Sequence, residues 1–235
     1  MADTLVTFLL DKSGSMGPIR ADTIGAFNAY LDELKTDSEG IVFSFLQFDT
    51  NSTDVLCRNM PVKDVKALTE DTYRPNGGTP LIDAAYKTIK AVEKAVAERS
   101  EAPKVVICFQ TDGQEKSSTQ HSWNDLQTLI KEKTALGWQF NFMGCGIDAY
   151  AQGGRMGIAA VNSMSYDRHS AQATKAAFSA SAENTKAFAS GLVGSTAYSG
   201  AQRVEAKDKY APVDLLTRPA EAKPEPKSLA DDITL

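Results

Sequence analysis

Three side chains with oxygen donors, Asp11, Ser13 and Ser15, alternate along one short stretch of the chain. The stretch follows an apolar run over residues 5–10 and precedes a helical pattern, which predicts a turn between a buried strand and a helix. Side chains at the carboxyl end of a parallel strand face the crevice where such sheets bind ligands. One carboxylate and two hydroxyls are hard donors that suit Mg²⁺ better than zinc. Because Asp, Ser and Gly are also common in plain turns, this stretch alone is only a weak indication of a metal site.

Two later turns supply two further candidates. Thr79 follows a pair of glycines and precedes a helical pattern, and Asp112 follows a strand-like run over residues 105–109. By itself, Thr79 is also explained as a helix N-cap. Taken in order, the five positions read D-x-S-x-S, then T, then D, which resembles the metal-ion-dependent adhesion site of the von Willebrand factor A domain family. The resemblance extends over roughly residues 3–195.

The resemblance implies a site for Mg²⁺, or for Mn²⁺ or Ca²⁺, formed by Asp11, Ser13, Ser15, Thr79 and Asp112. In the family the two motif aspartates often act through water, so mostly neutral donors bind the ion directly. This leaves a position for an Asp or Glu carboxylate of a partner protein. The resemblance therefore implies a metal-dependent protein–protein interaction module.

A segment further along the chain suggests a narrower group within the family. Gly146-Ile147-Asp148 followed by a helix of small residues is similar to free-standing bacterial and phage members, including those encoded beside tellurite-resistance genes.

Apolar runs alternate with helical patterns along the chain, which predicts an α/β fold: a doubly wound, mostly parallel central sheet with helices on both faces. Parallel strands are expected over residues 4–10, 41–48, 105–109, 138–143 and 159–165. Residues 53–60 are expected to form an antiparallel edge strand, because the turn before them is too short for a parallel crossover. Helices are expected over about 18–34, 80–96, 123–136 and 169–192, with a short piece over 65–68 and one from residue 147 that Gly153-Gly154 weakens.

The composition changes near the end of the chain. Residues 1–198 are expected to form the folded domain, and residues 199–235, rich in proline and charge, a flexible tail. The end of this tail is acidic and faintly resembles the tip of single-stranded DNA-binding proteins, which recruits partners. Asp231, Asp232 and the carboxylate of Leu235 are candidates to dock on the metal site of the same or a neighbouring copy.

Size and charge restrict the possible functions. A chain of 235 residues with 42% apolar residues fits one α/β domain, and a net charge of -5 gives no reason to expect nucleic-acid binding. No run approaches membrane-spanning length and residues 1–4 lack a basic leader, so a cytoplasmic location is expected. Cys57, Cys108 and Cys145 have no metal or disulfide spacing and are expected to be reduced and mostly buried.

The sequence offers no nucleophile with an evident base, and neither a nucleophile elbow nor a Walker lysine. His121 and His169 are flanked by polar residues and are expected at the surface. We therefore expect no enzymatic activity; a Mg²⁺-dependent phosphatase is the lesser alternative, and an assembly subunit of an AAA+ ATPase is another. Asp49 and Asp83 are left out of the metal set, because a turn and a helix dipole explain them.

Overall fold

The computed structural model describes residues 3–36 and 39–221, which contain one six-stranded sheet in the order β3-β2-β1-β4-β5-β6. The strands are β1 (Thr4–Asp11), β2 (Ile41–Phe48), β3 (Thr53–Pro61), β4 (Lys104–Thr111), β5 (Gln139–Cys145) and β6 (Ser163–Tyr166). All neighbouring pairs are parallel except β2 and β3, which are antiparallel. The predicted mostly parallel sheet with one antiparallel edge strand is thus confirmed.

Helices cover both faces of the sheet. They are α1 (Arg20–Lys35), α2 (Leu81–Ala97), α3 (Trp123–Ala135), α4 (Ala149–Met156), α5 (Ala171–Ala189), α6 (Gly200–Glu205) and α7 (Val213–Leu216). Among the described residues, none of these helices has the length and apolar character needed to cross a bilayer.

The central strand β1 is buried along its whole length because its side chains alternate between two apolar cores. Phe8 belongs to the core under α1 and α5, where its ring centroid lies 5.3 Å from that of Phe27 and 5.8 Å from that of Phe178. Leu9 belongs to the opposite core, which α2, α3 and α4 close with residues such as Ile89. Apolar residues therefore occupy most positions of this strand.

The strand order reverses beside β1. The chain passes from β1 to β2 on one side and later reaches β4 on the other side. The carboxyl ends of β1 and β4 therefore form the switch point at which doubly wound sheets bind ligands. This topology brings Asp11, the last residue of β1, next to Asp112, the residue that follows β4.

Several elements differ from the sequence-based expectation. Gly153 and Gly154 lie inside α4, which continues to Met156. A Cβ at residue 153 would come within 2.5 Å of the Ser163 hydroxyl, so the glycine allows close packing of α4 on β6. A 3-10 turn over Ala160–Asn162 shortens β6, and another over Val62–Asp64 precedes the non-helical residues 65–68.

Residues 199–221 were expected to begin a flexible tail, but the structure folds them against the sheet. The Arg203 guanidinium is fully buried and donates to the carbonyl oxygens of Ser163 (2.6 Å) and Val161 (3.0 Å). The Asp208 carboxylate accepts a hydrogen bond from the Ser165 N–H (3.1 Å). Because these groups satisfy the open side of the edge strand β6, the folded unit extends beyond residue 198. The acidic segment at residues 229–235 lies outside the described residues.

The cysteines follow the expectation in part. Cys108 and Cys145 are buried, whereas Cys57 on the edge strand β3 is only partly buried. All three are free thiols.

Candidate metal centre

The first loop of the centre begins at Asp11, which is fully buried at the end of β1. One carboxylate oxygen accepts from the Ser13 N–H (2.6 Å) and the other from the Thr111 hydroxyl (2.5 Å), while the Tyr73 hydroxyl donates to the Asp11 carbonyl (2.7 Å). Burial raises the pKa of Asp11 to about 6, although the hydrogen bonds from Thr111 and Ser13 act in the opposite direction. A nearby cation would offset this desolvation cost.

Two hydroxyls and a second carboxylate lie beside it. The Ser13 Oγ is 3.0 Å from the Ser15 Oγ, and the Ser15 hydroxyl donates to Asp112 Oδ1 at 2.5 Å. Adjacent ligands of an octahedral ion with bonds of about 2.0–2.1 Å lie about 2.9 Å apart, so these oxygens are spaced to share one small cation. Ser13 is buried and Ser15 is exposed, which places such a cation at the protein surface.

Backbone hydrogen bonds fix the loop that carries Thr79 against the first loop. The Gly14 N–H donates to the Gly77 carbonyl (2.9 Å), and the Asn76 N–H donates to the Lys12 carbonyl (2.7 Å). Gly77 has a φ of +68°, and a Cβ there would come within 2.5 Å of the Thr50 hydroxyl. Glycine is therefore required at this position for both conformation and space.

Thr79 lies beside the third loop of the centre. Its hydroxyl is so close to Gly113 that a Cβ added at residue 113 would be 2.9 Å from Thr79 Oγ1. Since Gly113 directly follows Asp112, the structure brings all five candidate residues to one edge of the sheet. Asp11, Ser13, Ser15 and Asp112 are also linked by hydrogen bonds.

Arg168 also contacts this cluster, although no sequence pattern indicated it. Its Nη2 lies 3.2 Å from Asp112 Oδ2 and 3.4 Å from the Ser15 carbonyl oxygen. Gly146, with a φ of +70°, leaves space for the arginine stem, because a Cβ there would lie 3.0 Å from Arg168 Cδ. Burial raises the pKa of Asp112, and the hydrogen bond from Ser15 and the charge of Arg168 partly offset that rise.

Lys12, between the first two motif residues, has a structural role. Its ammonium lies 3.0 Å from the Asp49 carboxylate and 2.9 Å from that of Asp54, and it donates to the Ser52 hydroxyl. Burial acts to lower the pKa of Lys12, but the hydrogen bonds to Asp54 and Asp49 raise it overall. Asp49 therefore belongs to the contact that holds the β2–β3 turn against the first loop.

Asp83 has a similar role for the third loop. Its carboxylate accepts from the backbone N–H groups of Thr119 (2.8 Å), Gln120 (3.1 Å) and His121 (2.9 Å). The His121 ring stacks on Tyr86 with centroids 3.9 Å apart, and its Nδ1 is 3.1 Å from Asp83 Oδ1. His121 is therefore half-buried rather than a free surface group, whereas His169 is exposed.

The donor set determines which ions fit. Among the described residues, no group of three or more His, Cys, Asp and Glu side chains could hold a metal. A cation at this edge therefore depends on the hydroxyls together with the two carboxylates. Oxygen-only donors favour Mg²⁺, Ca²⁺ or Mn²⁺, and the residues present fit such an ion.

A doubly wound α/β domain with a hydroxyl-rich oxygen cluster at its switch point defines a class of cation-binding interaction domains. Residues 6–170 match the profile of the von Willebrand factor type A domain, and the chain belongs to this family. Among curated proteins, no sequence matches the chain.

Solved structures show the same fold. A von Willebrand factor type A protein from Catenulispora acidiphila gives a TM-score of 0.57 at 17% identity, over 79% of this chain and 43% of that chain. The manganese-loaded TRAP protein of Plasmodium vivax gives 0.55 at 19% identity, over 74% and 72%. Proximal thread matrix protein 1 of the mussel byssus, with a zinc-occupied MIDAS motif, gives 0.58 at 13% identity, over 76% and 46%. The chain thus spans less than half the length of the first and third.

Proposed function

We propose that the protein is a metal-dependent protein-interaction module, in which Asp11, Ser13, Ser15, Thr79 and Asp112 form a complete metal-ion-dependent adhesion site. The observation that carries the proposal is the convergence of the two serine hydroxyls with Asp112 at distances of 2.5–3.0 Å at the switch point. Manganese in one structural relative and zinc in the MIDAS motif of another support a divalent cation at this edge of the fold. When bound, the cation supplies an electron-poor contact for an Asp or Glu carboxylate of a partner protein.

The residues of the centre differ in their tasks. Asp11 is buried and anchors the first loop through its hydrogen bonds, while Ser15 is exposed at the mouth of the site. The serine and threonine hydroxyls are neutral, so only Asp11 and Asp112 compensate the charge of the cation. If these aspartates act through water, an anionic partner group is favoured at the cation. We infer Mg²⁺ as the cation because all donors are oxygen, with Mn²⁺ and Ca²⁺ as the other candidates.

The metal assignment is tested by calorimetric titration with Mn²⁺. We expect Ser15→Ala and Asp112→Asn each to weaken binding by roughly 10–100-fold or more, because each removes an oxygen donor or its charge. Ser190→Ala is the matched control, since this hydroxyl caps the far end of α5 and contacts only backbone carbonyls there. Unchanged Mn²⁺ affinity in both site variants would show that the five residues do not form the site.

The partner is sought by affinity capture with the intact chain, in Mg²⁺ and in EDTA, beside the Asp112→Asn variant. A partner of this centre is retained only by the unaltered protein in Mg²⁺. An AAA+ ATPase among the retained proteins would support an assembly role. Capture that persists in EDTA and in Asp112→Asn would contradict a metal-bridged contact.

We further propose that the protein is not an enzyme and works in the cytoplasm, in line with its resemblance to free-standing bacterial and phage members. The reason for the first part is that the sequence contains neither a nucleophile elbow nor a Walker lysine. Hydrolysis of p-nitrophenyl phosphate by the purified protein in Mg²⁺, abolished by Asp112→Asn, would contradict it. Localisation by cell fractionation tests the second part.

The acidic segment at the end of the sequence is a candidate ligand for the centre, in the same or a neighbouring copy. It carries Asp231 and Asp232, which match the carboxylate chemistry of the site. Deletion of residues 228–235 should then strengthen the binding of external carboxylates or dissociate an oligomer. Unchanged ligand binding together with an unchanged oligomeric state excludes this docking.

A further inference from the structure

We propose that a basic cleft beside the metal centre binds a second carboxylate of the same partner segment, so that the ligand is an acidic peptide with at least two Asp or Glu residues. The basic cleft has a volume of about 100 Å³ and is lined chiefly by Asp167, Arg168, His169, Lys207, Lys209 and Tyr210. The inference rests on the proposed function, because the first carboxylate is the one that contacts the cation.

Arg168 contacts both the metal centre and the basic cleft. Its Nη2 is within 3.2 Å of Asp112 in the metal centre, and the same side chain lines the basic cleft. Within the described part of the chain, its hydrogen bonds all use Nη2. The guanidinium has five N–H donors in a planar fork that suits a carboxylate. Arg168 can therefore hold Asp112 and a ligand carboxylate simultaneously.

The charge of the basic cleft opposes that of the whole protein. Three cationic residues line it, Arg168, Lys207 and Lys209, against a single acidic residue, Asp167. Asp167 already accepts the His169 N–H (3.0 Å), and no carboxylate of residues 3–36 and 39–221 lies within 4.0 Å of either lysine ammonium. In a chain with a net charge of -5, this local excess of positive charge attracts acidic groups to one place.

Lys207 occupies a backbone position that usually belongs to glycine. It follows the end of α6 with a φ of +52°, and its N–H donates to the Val204 carbonyl (3.0 Å). Glycine predominates at this position after a helix because side chains strain the left-handed conformation. A lysine in this strained conformation, at a residue that lines the basic cleft, points to a role in binding.

The geometry of an extended peptide fits this pair of sites. Side chains two residues apart lie on the same face of an extended segment, about 6.5–7 Å apart. Because Arg168 both contacts Asp112 and lines the basic cleft, a segment with Asp-x-Asp or Glu-x-Glu spacing can place one carboxylate on the cation and the next beside Arg168. The structure thus assigns the partner an acidic motif with this spacing.

The test uses two blocked peptides, acetyl-Gly-Asp-Gly-Gly-Gly-amide and acetyl-Gly-Asp-Gly-Asp-Gly-amide, titrated by NMR into the full chain with Mg²⁺. We expect the peptide with two carboxylates to bind about tenfold more tightly, because it adds a charge-assisted contact. Lys207→Gly and Arg168→Gln should each reduce this preference to near unity. Lys207→Gly also favours the native backbone at that position, so loss of folding cannot explain its effect.

Lys131→Gln is the charge-matched control, because Lys131 lies in α3 and contacts Gln127 rather than the basic cleft. It should leave the preference unchanged. Equal affinities of the two peptides for the unaltered protein, or a preference that survives both cleft variants, would overturn the inference. Binding of the one-carboxylate peptide in Mg²⁺ but not in EDTA would support the metal-bridged contact independently of the basic cleft. If neither peptide binds in a Mg²⁺-dependent manner although Mg²⁺ itself binds, both proposals fail.

Discussion

Charged residues around the motif hold its loops, and Asp83 is the clearest case. Its buried carboxylate accepts three backbone N–H groups from residues 119–121, in the segment that follows Asp112. Asparagine at this position would direct its N–H₂ group toward these backbone N–H groups, and two donors cannot form a hydrogen bond. The residue is therefore a support for the third loop rather than a member of the metal set.

We predict that Asp83→Asn lowers the free energy of unfolding at pH 7 by about 1–3 kcal/mol, because buried N–H groups lose a charged acceptor. Burial acts to raise the pKa of Asp83, but the hydrogen bonds from residues 119–121 lower it overall. The stabilisation is therefore complete above the unfolded pKa near 3.8 and is lost as the pH falls through the lower folded value.

Urea unfolding at several pH values measures this effect, with Asp32→Asn as the control, since that side chain is 77% exposed. The difference between the unaltered protein and Asp83→Asn should shrink below about pH 4. A difference that is constant from pH 7 to pH 3 would contradict the ionic origin.

At this scale the sequence predicted the motif positions but not their supports. Asp11, Ser13 and Ser15 are identifiable because three donors alternate within one turn. Arg168 is 56 residues from Asp112, and nothing in the sequence pairs them. Such contacts depend on which loops the topology brings together, and a single sequence does not contain that information.

At the scale of elements, the central strands were predicted well, because β1, β2 and β4 consist mainly of apolar residues. The final helices were missed because α6 has only six residues and prolines surround α7. A signal was present nonetheless: Ser199 and Gln202 form a capping box at the start of α6, and that spacing is readable in sequence. The high proline and charge content of residues 199–235 nevertheless led to the prediction of a flexible tail.

We predict that Gly200→Ala destabilises the protein by about 1–3 kcal/mol, because a Cβ at this position would overlap the backbone carbonyl of Leu216. Gly154→Ala is a matched control in α4, where a Cβ would have no heavy atom within 4 Å. It should be neutral or stabilising by up to about 1 kcal/mol, since alanine restricts the unfolded chain. Thermal unfolding of both variants tests this prediction. If Gly200→Ala were as stable as Gly154→Ala, α6 and α7 would not pack as described.

At the scale of the whole molecule, the folded unit includes residues beyond the expected boundary at 198. We predict that a chain shortened to residues 1–198 loses on the order of 3 kcal/mol of stability, because it leaves the β6 edge without Arg203 and Asp208. An exposed strand edge also favours association between copies. Denaturant unfolding and light scattering compare it with a chain of residues 1–221, which keeps both helices. If the two chains have the same free energy of unfolding and the same association state, the folded domain ends at residue 198 as first expected.

The metal centre also has a consequence for the order of events in folding. Its loops are far apart in sequence, since Ser15 meets Asp112 across 97 residues. Because these residues lie on loops at the ends of β1 and β4, we expect them to meet only after the two strands have paired. A cation that needs the finished centre would stabilise the native state without stabilising the transition state. We predict that saturating Mg²⁺ slows unfolding by about the same factor by which its binding raises the folding equilibrium constant, and leaves the refolding rate unchanged. Stopped-flow fluorescence measures both rates. Faster refolding in Mg²⁺ would mean that the loops meet before the sheet is complete.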